Sequence, residues 1–241
     1  MIQKTKAIVF KSTKYADSSM IVQMYTAEFG RQSFIVNGIR SNKSKQKAGL
    51  LQAGTLLDLV TYYNESKNIH RIKEMQYAHI YRSIPFDIVK SSLSIFLIEV
   101  LQKVLKEQEA NPILFDYLYD SFVLLDQTQN FLSNFHLLFL IKLTKHIGFW
   151  PHGTYSIATP YFDLEQGDFV SDVPAHKFFL ENEESKLLSQ FQNTSFSDLS
   201  NIHLSSHHRK QLLKHILLYF EFHVEHFSNV KSPDILEQII N

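Results

Sequence analysis

Among the side chains that carry out chemistry, histidine is abundant in this 241-residue chain and cysteine is absent, with 12 of the first and none of the second. Without a thiol there is no disulfide, no thiolate nucleophile and no cysteine-based zinc or iron–sulfur centre, a usage that suits a reducing compartment. His203 and His207 stand four apart, and His223 and His226 three apart, spacings at which two imidazoles on one helix face can share a metal ion. Neither pair has a carboxylate at a metallohydrolase spacing, and Glu225 falls on a different helical face from its flanking histidines, so the expectation is of exposed helix histidines. Glu181, Glu183 and Glu184 precede Ser185-Lys186-Leu187-Leu188 and read as the first turn of a helix, where the helix dipole favours negative charge. No G-x-x-x-x-G-K-[ST], G-x-G-x-x-G, H-E-x-x-H or G-x-S-x-G occurs. The expectation is therefore a non-enzyme: no catalytic residue, no metal and no cofactor.

The remaining chemistry is electrostatic. Arg40, Lys43, Lys45 and Lys47 lie in an eight-residue run, RSNKSKQK, that holds no apolar side chain. Such a solvated segment suits phosphate contact, because each neutralised phosphate releases counterions and a lysine acts there as a point charge without reading sequence. Lys11, Lys14, Arg31, Arg71 and Lys73 extend the candidate phosphate-binding set. Phe34, Tyr62 and Tyr63 offer ring faces on which bases can stack, although strand aromatics more often serve a core. The net charge of zero conceals an asymmetry: residues 1–80 carry 12 Lys+Arg against 5 Asp+Glu, and residues 81–241 carry 12 against 19. A split of this kind points to a polyanion as partner of the first segment.

Two patterns of element must hold these groups. Up to about residue 80 the chain reads as strands, at residues 4–10, 20–25, 32–37, 56–63 and 69–80, with residues 64–68 as a hairpin loop. Five short strands without an intervening long helix indicate a small barrel or sandwich, and strand count alone leaves an OB and an SH3-like barrel both open. Around Pro85 the period changes: Leu93, Phe96, Leu97, Val100, Leu101, Val104 and Leu105 fall on one helical stripe. Asn111-Pro112 opens a second helix to about residue 126, a third runs over about 131–147 to a Gly148 cap, and a last long one over about 206–227, before a short helix after Ser232-Pro233. Residues 149–180 interrupt the bundle with Pro151, Gly153, Pro160, Gly167 and Pro174, and Glu165-Gln166-Gly167-Asp168 predicts a β-hairpin turn. The greasiest stretch, residues 135–147, is broken by Lys142 and Lys145 and falls short of the ~18 apolar residues of a membrane span. The first six residues alternate polar and apolar in place of a leader's apolar run, so a soluble, cytoplasmic protein is expected.

In their order, these residues resemble the RecO family of DNA repair and recombination mediators. Ala7-Ile8-Val9-Phe10, then Tyr15-Ala16-Asp17-Ser18-Ser19-Met20-Ile21-Val22, the T-x-x-x-G turn Thr26-Ala27-Glu28-Phe29-Gly30 and the G-x-R strand end Gly38-Ile39-Arg40 are similar to that family's opening. RKQLLKHILLYFEFH from Arg209, followed by Val230-Lys231-Ser232, is similar to its closing segment, and Gly148-Phe149-Trp150-Pro151 to the start of its zinc-binding insertion. The resemblance implies an α+β multidomain chain: a five-stranded OB-fold barrel for DNA binding over residues 1–80, then an α-helical domain over 81–241 with a small hairpin-containing insertion at 149–180. It implies binding to single- and double-stranded DNA, strand annealing, RecR and the acidic tail of single-strand-binding protein as partners, indirect action on RecA, and a nucleoid-associated location. Arg209, Lys210 and Lys214 are the cations available to take that tail. Where many family members place four cysteines in a zinc knuckle this chain has none, so the insertion is expected to be a degenerate version held by packing, with Phe162, Leu164, Phe169 and Val170 as staples. His152 and His176 do not make up a four-ligand site. Two other classes compete: a protein–protein adaptor without DNA affinity, and a histidine-metal enzyme.

Overall fold

Alternation of apolar and polar residues puts one face of each early strand into a core, and one strand is long enough to close that core on itself. A computed structural model of the chain describes residues 1–15, 17–38 and 48–240. Strand β1 (Ile2–Tyr15) pairs through its first half with β4 (Leu56–Tyr62) and through its second half with β2 (Ser19–Thr26). A bulge between Val9 and Lys11 separates the two halves and supplies the bend that closure requires. With β3 (Gly30–Val36) and β5 (His70–Tyr77) the order is β1-β2-β3-β5-β4, a closed five-stranded barrel of OB type. β3 and β5 run parallel and pair only through Phe34–His70 and Ile35–Arg71. Ala7, Val9, Val22, Met24, Phe34, Leu57 and Leu59 fill the interior.

The turn between β2 and β3 requires its glycine. Gly30 has φ +60°, and a Cβ there would lie 2.3 Å from the carbonyl oxygen of Glu109. Thr26 Oγ1 holds the same turn, accepting from Phe29 N and donating to the Gly30 carbonyl.

The chain divides into two compact units, residues 1–127 and 128–241. The first holds the barrel together with α1 (Ile88–Val104) and α2 (Pro112–Gln127). Strands thus give way to helices near Pro85, while the boundary in packing falls later. Gln102 of α1 donates to the Phe10 carbonyl (2.7 Å), and Tyr25 lies between the rings of Phe10 and Phe115. Asp87 caps α1 by accepting from Val89 N and Lys90 N, and Asn111 accepts from Leu114 N ahead of Pro112.

Under these helices lies a buried polar knot. The Asp126 carboxylate accepts from the backbone N–H groups of Arg82, Ser83 and Ile84, and its backbone carbonyl accepts from Lys90 Nζ (2.8 Å). Lys90 is fully buried and also donates to Ser83 Oγ (2.7 Å). Both charges therefore have several hydrogen-bond partners, the condition under which buried ions persist.

In the second unit α3 (Leu132–His146) is buried on nearly every face and ends before Gly148, φ +91°. Around it lie α4 (Asn182–Asn193), a 3-10 turn (Leu199–Asn201), α5 (Ser206–His223) and α6 (Pro233–Ile239). Glu183 and Glu184 sit in the first turn of α4, as expected from their sequence. The insertion forms a three-stranded sheet, β7-β6-β8, from β6 (Tyr161–Asp163), β7 (Asp168–Val170) and β8 (Phe179–Leu180). Asp163 Oδ1 holds its turn by accepting from Glu165 N and Gln166 N. Phe162, Leu164 and Phe169 are buried in it, and Val170 is half-buried.

The last long helix corrects one expectation. It stops at His223 instead of about residue 227, because Val224 turns extended (φ −120°, ψ 117°) and lets Phe227 fold back onto Phe220 at 5.4 Å between ring centres. His203 precedes this helix and His226, at φ +57°, follows it, so neither histidine pair shares a helix face. Among the described residues no cluster of three or more His, Cys, Asp or Glu side chains is placed to hold a metal ion.

Candidate nucleic-acid interface

Among the described residues, the candidate cations of the first unit lie on three strands. Lys11 and Lys14 lie on the part of β1 that pairs with β2 alone, and both are exposed. Lys14 is registered with Met20, and Met20 with Val36, which brings Lys14 beside the end of β3. Ser19 Oγ donates to Asn37 Oδ1 (2.9 Å) and ties the β1–β2 hairpin to the residues leaving β3. Arg71 and Lys73 are exposed on β5. Lys73 pairs with the adjacent Glu74 at 3.5 Å, a solvent-exposed contact of the kind worth only about 0–1 kcal/mol.

Beyond their two paired positions β3 and β5 leave a groove of about 390 Å³, lined by Ile35, Asn37, Leu50, Arg71, Lys73 and Met75 among others. Asn37 and Leu50 lie on either side of the basic run in sequence. Arg40, Lys43, Lys45 and Lys47 themselves lie outside the described residues, but the chain on both sides of them reaches this one groove.

Arg31 is used differently. Its guanidinium donates to the carbonyls of Gln102 (3.0 Å) and Leu105 (3.1 Å) at the C-terminal end of α1 and to Gln23 Oε1 (3.0 Å). A cation there meets the negative end of the helix, and the arginine ties the barrel wall to α1. The three aromatic candidates also separate. Phe34 is wholly buried in the barrel core, so its ring is closed to a base. Tyr63 is stacked against Phe29 (3.9 Å between centres) and His70 (4.7 Å). Tyr62 is 49% exposed.

Sequence reading passed over His70 and Lys90. His70 is buried on β5 with Nε2 3.1 Å from Gln32 Oε1; burial, helped by Lys67, pushes its pKa down. Lys90 carried a readable signal: it stands three and seven residues before Leu93 and Leu97, on the apolar stripe of α1 itself.

In the second unit Arg209 and Lys210 line a groove of about 510 Å³ with His136, Leu213, Leu236 and Ile240. The Arg209 guanidinium donates to Asn134 Oδ1 and to the carbonyls of Leu204 and Ile240, and Lys214 is exposed but not part of the groove lining. His136 is buried, and desolvation with the nearby Arg209 brings its pKa down to about 3, so it is neutral at pH 7.

Residues 1–81 match the family model described as Recombination protein O N terminal, and residues 85–233 the model described as Recombination protein O C terminal. The chain belongs to the RecO family of DNA repair proteins. It is 34% identical to a DNA repair protein RecO of Phocaeicola vulgatus, with both chains covered in full. It is similarly 34% identical to one of Christiangramia forsetii and 31% to one of Flavobacterium psychrophilum, in each case over 99% of both chains.

A zinc knuckle, where the family carries one, does not fit this chain's insertion. There is no cysteine to supply, and the imidazole of His176 is already engaged, with Nε2 3.2 Å from Asp163 Oδ2 and Nδ1 accepting from Phe178 N. His152 contributes its backbone, bonded to Gly167 and Phe169. Among the described residues no helix is long and apolar enough to cross a membrane.

Proposed function

We propose that the chain is a non-enzymatic recombination mediator that binds single- and double-stranded DNA through its barrel. In this reading it anneals complementary strands and, together with RecR, helps RecA load onto DNA coated by single-strand-binding protein. The observation that carries the reading is the groove between β3 and β5, which Arg71 and Lys73 line together with Asn37 and Leu50, described residues that bracket the basic run in sequence. Lys11, Lys14, Arg40, Lys43, Lys45 and Lys47 supply further phosphate-facing charge, and Arg31 acts by anchoring α1. The domain assignment follows: residues 1–80 for DNA, residues 81–241 for partners, with 149–180 as a knuckle-like insertion that has lost its metal. The groove that Arg209 and Lys210 line with Leu213, Leu236 and Ile240 suits the acidic tail of single-strand-binding protein through its cations. Such work belongs in the cytoplasm, at the nucleoid.

The test is single-stranded DNA binding across a salt series for wild type and a Lys43→Ala/Lys45→Ala/Lys47→Ala variant. Loss of three phosphate contacts should weaken binding and make the slope of log K against log salt shallower by about 2. Superimposable curves would remove the basic run from the interface. Absence of salt-dependent binding in wild type would remove the DNA reading and leave the adaptor.

A further inference from the structure

The strand register arranges one row of side chains across the outside of the barrel. Ile21 of β2 is opposite Ile35 of β3, Ile35 opposite Arg71 of β5, Arg71 opposite Tyr62 of β4, and Tyr62 opposite Ile2 of β1. Directly opposed residues project to the same side of a sheet. Here that side is the outer one: Ile2 is 53% and Tyr62 49% exposed, Arg71 is exposed, and Ile21 and Ile35 are half-buried. None of these side chains belongs to the cluster that fills the barrel, Ile2, Tyr62 and Arg71 reach solvent, and the row crosses the strands whose divergence opens the groove. Ile35 and Arg71 belong to both.

We propose that this row, with Tyr62 as its stacking platform and Arg71 beside it, is the part of the interface that receives unpaired bases and so favours single-stranded over duplex DNA. The inference rests on the DNA-binding reading above and adds residues and strand preference to it. The occupant is set by complementarity of two kinds. The cations around the groove attract a polyanion, and the ring and β-branched side chains between them offer π-face and apolar contact that a phosphate backbone does not use. Bases in a duplex are stacked on each other and withhold their faces, whereas single-stranded bases can lie against a tyrosine. Phe34 and Tyr63 are closed to this role by burial and by stacking within the protein.

The experiment compares full-length wild type, Tyr62→Ala, Tyr62→Phe and Tyr62→Trp on oligo(dT), an abasic oligonucleotide of equal length and a duplex. Tyr62→Ala should weaken oligo(dT) binding roughly 5- to 100-fold, the range of one lost base–aromatic stack. Its salt slope should be unchanged because no phosphate contact is lost. Duplex and abasic affinities should match wild type, Tyr62→Phe should behave as wild type, and the indole introduced by Tyr62→Trp should be quenched by oligo(dT) but not by the abasic strand. Equal losses on all three ligands, an altered salt slope, wild-type affinity of Tyr62→Ala for oligo(dT), or no differential quenching would each overturn the assignment while leaving DNA binding in place. A wild type that binds none of the three ligands would remove both readings together. Urea unfolding of each variant is measured alongside, so that equal losses on all three ligands count against the assignment only in a variant that unfolds like wild type.

Discussion

Replacing Asp126 by alanine is expected to destabilise the protein by about 3–5 kcal/mol, measured by urea unfolding of the full chain, the usual effect of breaking a buried charged network on one side. The carboxylate is 3% exposed and is the shared acceptor for the N–H groups of Arg82, Ser83 and Ile84. Those residues form the segment that leaves the barrel for α1, and the segment has no regular ladder to satisfy its donors. Alanine would strand three partly buried N–H groups together and remove the negative charge closest to the buried Lys90 network, where Ser83 Oγ bonds both Lys90 Nζ and Asp126 Oδ1. Asp126→Asn keeps one acceptor oxygen and should lose less. An alanine variant within 1 kcal/mol of wild type would show that water replaces the carboxylate.

The same residue sets an acid limit. Burial works to raise the Asp126 carboxyl, but the N–H groups of Arg82, Ile84 and Ser83 and the ring of His79 outweigh it and bring the pKa from 3.8 down to about 2. A carboxyl lowered by folding contributes its stability in full above its unfolded value and loses it as pH falls through the folded one. The contribution, about 2 kcal/mol by linkage, should therefore be present at pH 5 and disappear between about pH 4 and pH 2. Asp126→Asn should flatten the stability curve across that window and leave it parallel to wild type above it.

Periodicity made the five strands and the long helices readable, because each is set by local alternation or by a stripe. Closure of the barrel was not readable that way. It depends on the bulge at Val9/Lys11 and on a two-residue parallel contact between β3 and β5, neither of which leaves a local mark. The end of α5 was misplaced for a similar reason: Phe227 continues the heptad-like spacing from Phe220, yet it satisfies that contact by folding back. Of the candidate interface, charge and composition single out the basic run, whose residues lie outside the described ones. Composition treats every arginine alike, so it grouped Arg31 with the solvated cations although three acceptors on α1 and β2 hold it. Strand parity separates Tyr62 from Phe34, but only once the register across β1, β4 and β5 is known. Two of the residues that matter most for stability, Lys90 and Asp126, meet across 36 residues of chain, and their pairing is a property of packing alone.

The second large effect concerns the insertion, which has no cysteine with which to hold a zinc ion. Phe162→Ala should cost about 3–5 kcal/mol, the range for emptying a fully buried phenylalanine site. Phe162 has no exposed surface, and its ring lies 4.9 Å from that of Phe169 and 5.5 Å, edge-on, from that of Tyr219. Tyr219 in turn donates to the Phe149 carbonyl (2.7 Å), and His223 Nε2 lies 3.0 Å from the Leu164 carbonyl. The hairpin is thus pinned to α5 by one aromatic cluster and by the His223–Leu164 contact, while Tyr219 also holds the start of the insertion through Phe149. Gly167 allows the close approach: at φ +80°, a Cβ on it would come within 2.8 Å of Tyr219 Oη. Removing the Phe162 ring leaves Phe169 and Tyr219 facing a void, and a three-stranded sheet with strands of two or three residues has little else to bury. The loss should appear in urea unfolding and as faster amide exchange at residues 161–170. A chelator should leave the melting temperature of wild type unchanged. If it lowered that temperature as far as Phe162→Ala does, a bound ion would be holding the hairpin, and the packing account would fail. If Phe162→Ala cost less than 1 kcal/mol with normal exchange protection, the sheet would be anchored by its polar contacts, among them the carboxylate–imidazole contact of Asp163 and His176 at 3.2 Å.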